Sequence, residues 1–313
     1  MYYIGIDLGG TNIAAGIVSE DGKIVKKASI PTPSMDDYVV VAKAMLELSK
    51  KLVSETGISA DDVKAVGIGC PGSIDYEKNE ISYSNNLRFS KAPIAKEFQK
   101  GWDIPVVLEN DANAAAFGEY IASGNGCSVF VALTLGTGVG GGVVINGKIF
   151  RGANGAGAEL GHSTLIHDGL SCTCGKKGCL ECYASATALI NQTTEAIKNN
   201  PESLMVKLAN DYGKVNGRVA FDAAKQGDEA AKKVVDQYIK YVADGIVSMV
   251  NIFQPEKLVV SGGISNEGEY LMKPIREYVE KYDYNRHFTR VKVEPAVLLN
   301  DAGIIGAALA AKI

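Results

Sequence analysis

Nowhere in this sequence do about 18 uncharged apolar residues run together, the length a helix needs to cross a bilayer. The opening residues, Met1-Tyr2-Tyr3-Ile4-Gly5-Ile6-Asp7, supply no basic leader ahead of an apolar stretch. The expected location is therefore the cytoplasm, with no membrane partner. Dense Lys/Arg runs and stripes of mixed basic and aromatic residues are also missing, and the net charge is only −4. Nucleic acid is not an expected partner. Two nucleotide signatures are absent as well. There is no Walker A pattern, and no Gly-x-Gly-x-x-Gly that opens a helix and has an acidic residue about 20 positions on. P-loop chemistry and dinucleotide-dependent redox chemistry are both disfavoured.

What is present suits an ordinary globular protein. Of 313 residues, 46% are hydrophobic and 22% charged, enough for a sizeable core and, by length, for two domains. Residues 4–25 (IGIDLGGTNIAAGIVSEDGKIV) align with residues 131–150 (VALTLGTGVGGGVVINGKIF) with small gaps. Each copy reads as an apolar run, a Gly-rich turn, a second β-rich run and a Gly-Lys-Ile turn into a third strand. An ancient duplication of a βββ unit accounts for the match.

Between and after the copies, helical periodicity appears at about Asp36 to Glu55, 184–198, 218–226, 228–252, Gly268 to Tyr282 and 301–311. Strands are expected at Val63–Gly69, Val106–Leu108 and Lys257–Val260. Residues 73–92 are polar and turn-rich and read as a long surface connection. Strands alternating with helices give an α/β fold. At Glu109-Asn110-Asp111 a strand meets an Ala-rich helix that Asn or Asp can cap, a junction suited to a catalytic side chain.

Glycine lets successive backbone N–H groups approach phosphate oxygens, and two matching Gly-rich turns in duplicated units say more than one isolated hairpin would. Asp7, between the first strand and its turn, places a carboxylate beside such a cradle and can hold Mg²⁺ directly or through water. Four of the six cysteines fall within residues 172–182, which in a reducing compartment indicates metal rather than disulfides. In extended chain Cys172 and Cys174 point to one side, and Cys179 returns to them across the Gly175–Gly178 turn. A histidine, His162 or His167, completes a closed Cys₃His set, the donor pattern of structural zinc with no open position for water. Cys182 is the extra thiol, read as a buried or helix-face residue.

Asp7-Leu8-Gly9-Gly10-Thr11-Asn12, Leu135-Gly136-Thr137-Gly138-Val139-Gly140-Gly141-Gly142 and Ser261-Gly262-Gly263, in this order, resemble the ROK-family sugar kinases. The resemblance runs over essentially the whole chain. It includes Glu109-Asn110-Asp111-Ala112-Asn113, Gly157-Ala158-Glu159-Leu160-Gly161-His162 and the Cys172–Glu181 segment. It implies an actin/hexokinase-like (duplicated ribonuclease H-like) two-domain α/β fold with a cleft. A small domain of residues 1–112 plus 300–313 would pair with a large zinc-bearing domain of 113–299.

The activity implied is ATP-dependent phosphorylation of the 6-hydroxyl of glucose. The motifs also fit kinases for N-acetylmannosamine, N-acetylglucosamine, fructose or mannose, and some relatives take polyphosphate as donor. Non-catalytic sugar-sensing members carry a DNA-binding domain before this region, and a first strand starting at Tyr2 leaves the catalytic reading as the expectation. In that reading Asp111 is the general base, with a plain helix cap as the alternative role. Asn110, Asp111, Glu159, His162 and Glu181 would contact the sugar, with Gly72 and Asn86 as further lining. Asp7, Gly9, Gly10, Thr11, Asn12, Thr137, Gly138, Gly262 and Gly263 would hold MgATP. The family pattern selects His162 over His167 as the fourth zinc ligand with Cys172, Cys174 and Cys179. A homodimer or higher homo-oligomer is also implied.

Overall fold

The first strand, β1 (Tyr2–Leu8), runs antiparallel to β2 (Asn12–Ser19), which runs antiparallel to β3 (Ile24–Pro31). The molecule is a computed structural model that describes residues 1–33, 37–285 and 287–312. Helix α1 (Tyr38–Thr56) starts on Asp37, whose carboxylate accepts from Val39 N at 2.8 Å, and stops at Gly57 with φ of 70°. Its expected start at Asp36 lies outside the described residues. Strand β4 (Val63–Cys70) returns parallel to β1.

Residues 73–92 differ from the expected open connection. They form an antiparallel sheet of three short strands, β5 (Ser73–Asp75), β6 (Glu80–Ser84) and β7 (Phe89–Ala92). Ile74, Ile81, Leu87, Phe89 and Ala92 give that sheet an apolar face, and all five join the core beneath. Helix α2 (Ile94–Gln99), strand β8 (Val106–Asn110) and helix α3 (Asp111–Glu119) follow, with β8 parallel to β4.

The repeat then recurs as β9 (Val129–Leu135), β10 (Val139–Ile145) and β11 (Lys148–Ile149). After it come α4 (Glu181–Ala184), α5 (Ala186–Asn199), α6 (Leu204–Asp211), α7 (Val219–Lys225), α8 (Glu229–Phe253), β12 (Lys257–Ser261), α9 (Glu269–Tyr282), β13 (Lys292–Pro295) and α10 (Ala302–Ala310). Among the described residues the two large sheets have strand orders β3-β2-β1-β4-β8 and β11-β10-β9-β12-β13. Each strand of the second order occupies the place of its counterpart in the first, as duplication requires.

Two units divide the chain: Met1–Ala132 with Gly142–Ala158 and Val297–Ile313, and Leu133–Gly141 with Glu159–Ala296. Residues 113–132 and 142–158, which the sequence reading placed in the large domain, thus group with the N-terminal stretch. The physical reason for the first of these is that α3 packs on α10 and on the β4–β8 edge. In the first unit, Ile4, Ile6 and Leu8 face Val41, Met45, Leu48 and Leu52 of α1, while Tyr3 and Ala65 face Ile304, Ile305 and Ala308 of α10. A sheet buried on both faces explains the nearly unbroken apolar run of β1. Burying each such aliphatic side chain contributes about 1.5–3 kcal/mol. Gly5 and Gly67 let α10 lie directly on the sheet, since a Cβ at either would overlap the carbonyl of Ile304 or Ala307.

In the second unit Asp228 caps α8 through Ala231 N at 2.8 Å and also accepts from Leu204 N at 2.6 Å, so one carboxylate starts two helices. No helix of the described residues is long and apolar enough to cross a membrane.

Candidate active site

In the first unit the C-terminal ends of β1, β4 and β8 come side by side, with Asp7 paired to Gly69 and Cys70 to Asn110. Asn110 caps α3: its Oδ1 accepts from Ala112 N at 3.0 Å and Asn113 N at 3.1 Å, and its Nδ2 donates to the Gly72 carbonyl at 3.1 Å. This settles which of two neighbours starts the helix. Asp111 is relieved of that duty and stands as the first helical residue, partly accessible, bonded through Oδ1 to Ala112 N at 2.9 Å.

Burial pushes the Asp111 carboxyl above the usual carboxylate range, against the pull of the Ala112 amide. Burial, and next the charge of Asp111, raise Asp7 to about 6. Two carboxyls whose ionisation burial makes costly, one of them also facing the other's charge, suit a divalent cation or an incoming proton. Gly303 of α10 walls the other side, where an added Cβ would come within 3.0 Å of the Asp7 carboxylate.

The turn after β1 is closed by Gly9 N donating to Asn12 O at 2.9 Å, and Thr32 braces it through Gly9 O at 2.7 Å and Thr11 O at 2.9 Å. Gly10 is half-buried, while Thr11 and Asn12 are exposed at the tip. Gly72 is exposed beside Asn110, and Asn86 is exposed on the turn between β6 and β7.

In the second unit the matching turn is closed by Gly136 N donating to Gly138 O at 3.0 Å. Thr187 Oγ1 holds the Thr137 carbonyl at 2.7 Å, and Ala186 N holds that of Gly136 at 2.8 Å. Glu181, at the start of α4, accepts from Val139 N at 3.0 Å, and a Cβ at Gly138 would overlap its carboxylate. Gly262, with φ of 94°, lies against the backbone of Leu135, which sets the Ser261-Gly262-Gly263 turn beside Gly136. Glu159 is exposed, and its carbonyl accepts from His162 N at 3.1 Å.

His162, Cys172, Cys174 and Cys179 bring their ligand atoms within 4.8 Å of one another. Cys174 Sγ and Cys179 Sγ are 3.7 Å apart, and Cys172 Sγ is 3.6 Å from His162 Nδ1. Zinc–sulfur arms of about 2.3 Å in a tetrahedron give edges of about 3.8 Å, and a shorter zinc–nitrogen arm gives slightly less. The donor set fits zinc in identity and spacing. Burial opposes ionisation of Cys172, but the Cys174 amide, the facing thiols and His162 outweigh it and bring the thiol down to about 7. Burial and the facing Cys172 and Cys174 thiols push Cys179 up to about 12. His167 is 94% exposed and paired with Asp168 at 3.2 Å, so it stands apart from the cluster. Cys182 lies on α4, with its sulfur 3.6 Å from the Ser171 carbonyl.

Sequence reasoning missed the network around Glu109, which joins Tyr76, Asn113 and Arg151, and the clamp at Glu119. No local signal could have shown either. The partners stand 33–42 positions away in the first case, Asn113 excepted, and 178–180 in the second.

Two sheets of the same strand order, each with its first turn glycine-rich, define the actin/hexokinase-like class of fold. Within that class the chain belongs to the ROK family, whose family model matches residues 3–313. A glucokinase from Thermotoga maritima is 41% identical over 311 residues, covering 97% of this chain and 95% of that protein. The crystal structure of a ROK family glucokinase from Streptomyces griseus, in complex with glucose and AMPPNP, matches with a TM-score of 0.83 at 34% identity, covering 100% of this chain and 99% of that one. A ROK hexokinase structure from Thermus thermophilus matches with a TM-score of 0.79 at 33% identity, covering 99% and 97%.

Proposed function

We propose that this protein is a glucokinase that transfers the γ-phosphoryl group of ATP to the 6-hydroxyl of glucose. The observation that carries the chemistry is Asp111, left partly accessible because Asn110 caps the helix, with its carboxyl raised from its ordinary value by burial. Similarity to glucokinases over nearly the full chain supports the choice of sugar.

In this reading Asp111 orients the 6-hydroxyl and accepts its proton as the phosphoryl group departs. Asn110, Glu159, His162 and Glu181 pair with the vicinal hydroxyls of the pyranose, with Gly72 and Asn86 lining the site. His162 faces Cys172 through Nδ1, which leaves Nε2 for a sugar hydroxyl. Gly9, Gly10, Thr11, Asn12, Thr137, Gly138, Gly262 and Gly263 cradle the nucleotide with backbone amides and small side chains. Asp7 would hold magnesium, which when bound offsets the charge of the phosphates. Zinc at His162, Cys172, Cys174 and Cys179 would be architectural, tying the chain of Glu159 to that of Glu181. The enzyme would work in the cytoplasm, where ATP is available, as a homodimer or higher homo-oligomer.

A coupled ADP-release assay with MgATP across glucose, fructose, mannose, N-acetylglucosamine and N-acetylmannosamine tests the proposal. Glucose should give the highest kcat/KM, and Asp111→Asn should lower kcat by about 10²–10⁴-fold while sugar binding persists. Preference for another sugar replaces the substrate, and near-normal turnover in the variant removes Asp111 from its role.

A further inference from the structure

Glu109 is buried, with its side chain 1% exposed, and every bond it makes is to its own unit. Oε1 accepts from the Tyr76 hydroxyl, from Asn110 N at 3.0 Å and from Asn113 Nδ2 at 3.4 Å. Oε2 accepts from Arg151 Nε at 2.9 Å and Nη2 at 2.6 Å. The Arg151 guanidinium also sits 4.4 Å over the centre of the Tyr76 ring. Compared with an apolar replacement a buried ion pair adds little net stability, because desolvation offsets the attraction. What the network does supply, with Glu109 buried and Arg151 keeping 37% of its side chain exposed, is one geometry for the carboxylate's partners.

Three stretches distant in sequence are held to one another by these bonds. Tyr76 follows β5, close in sequence to Gly72. Glu109 bonds the residue before Asp111 and, through Asn113, the turn of helix after it. Arg151 opens the run 151–158 that leads to Glu159. That run folds back on the pair, with Gly157 N donating to the Arg151 carbonyl at 2.9 Å and Gly155 so near the Tyr76 ring that a Cβ would lie 2.8 Å from it.

We propose that Glu109, Arg151 and Tyr76 are positioning residues for phosphoryl transfer, fixing the direction of Asp111 and the course of the 151–158 run that delivers Glu159. This rests on the kinase reading above. The three act through Asp111 and Glu159, and their side-chain bonds are to one another and to the start of α3.

The test is steady-state kinetics of Arg151→Met, Arg151→Lys and Glu109→Gln at a temperature well below each variant's unfolding midpoint. A displacement of about 1 Å at a reacting group costs on the order of a hundredfold, so Arg151→Met should lower kcat by about that factor and raise the glucose KM. The ATP KM should stay within about threefold. Lysine keeps the charge but loses the two-pronged donor, so Arg151→Lys should recover about tenfold of the loss. The Glu109→Gln/Arg151→Met double variant should be no slower than the worse single variant, because the residues act as one unit. A purely architectural role predicts instead that activity follows the folded fraction, with no change in kcat per folded molecule. Arg151→Met and Glu109→Gln both within about threefold of the parent kcat would overturn the proposal. If Arg151→Met does not fold, Arg151→Lys alone decides, with a loss of about tenfold expected and none overturning.

Amide hydrogen exchange supplies an arm independent of turnover. Ala112, Asn113 and Gly157 should exchange faster in Arg151→Met while the core amides of β1 do not change. Should the parent protein fail to phosphorylate glucose, the kinase reading falls, and unchanged exchange at those three amides then overturns the positioning proposal separately.

Discussion

Glu119 is 1% exposed and accepts from three consecutive backbone amides, Val297 at 2.9 Å, Leu298 at 2.8 Å and Leu299 at 3.2 Å. These are the residues with which the chain re-enters the first unit, just ahead of α10. Glu119→Ala removes all three acceptors at once. An amide left without its partner costs about 1–3 kcal/mol, and because Val297 and Leu299 have exposed side chains through which water can enter, the low end applies to each. The expected destabilisation is about 3 kcal/mol, on the order of a hundredfold in the unfolding equilibrium. Glu119→Gln keeps one carbonyl oxygen and should lose about half as much.

The single tryptophan, Trp102, belongs to the first unit and packs against its core, so its fluorescence in urea reports this transition. Because α10 carries Gly303 onto Asp7, the ATP KM should also rise in Glu119→Ala. A loss below about 1 kcal/mol would refute the reasoning, since it would mean that water replaces the carboxylate without penalty.

Asp7 gives a prediction about pH. Its folded pKa of about 6 lies above the ordinary 3.8, so its contribution to stability is full below about pH 4 and is lost as pH rises through 6. Asp7→Asn should therefore raise the metal-free protein's thermal midpoint at pH 7.5, show little gain at pH 4, and remove MgATP-dependent turnover. A variant less stable than the parent at pH 7.5 would contradict the burial argument. The same raised carboxyls should place the acid limb of the pH–rate profile above the range of ordinary carboxylates, read from kcat/KM between pH 5 and 8. Elemental analysis should find one zinc per chain and none in Cys174→Ser, and freshly purified protein without zinc would remove the metal from the site.

Much of this was legible because the strongest features are local. The duplicated βββ units, the strands flanking Asp7 and Asn110 and the long amphipathic α8 all announce themselves by period or by glycine at turns. The Cys₃His cluster was readable for the same reason, with ligands close in sequence and a motif that selects His162. The residues 73–92 were misread because strands of 3–5 residues are too short for alternation to stand above turn chemistry. Helix α6, with 8 residues, was passed over, its first amide held by Asp228 more than twenty positions away. Glu109 was visible only as part of a motif, since the charge that balances it comes from Arg151 in another segment.

The discontinuous first unit also has a consequence for how the chain is made. Its sheet can form early in synthesis, but α10, which covers the glycine-lined face of β1 and β4, is translated only after all of Glu159–Ala296. Until then Tyr3, Val18 and Ala65 lack the helix that buries them, while the stretch between can assemble its own core. A ribosome that stalls within α8 or α9 would leave a nearly complete protein with an open apolar sheet. Such nascent chains should depend on chaperones far more than the finished protein does.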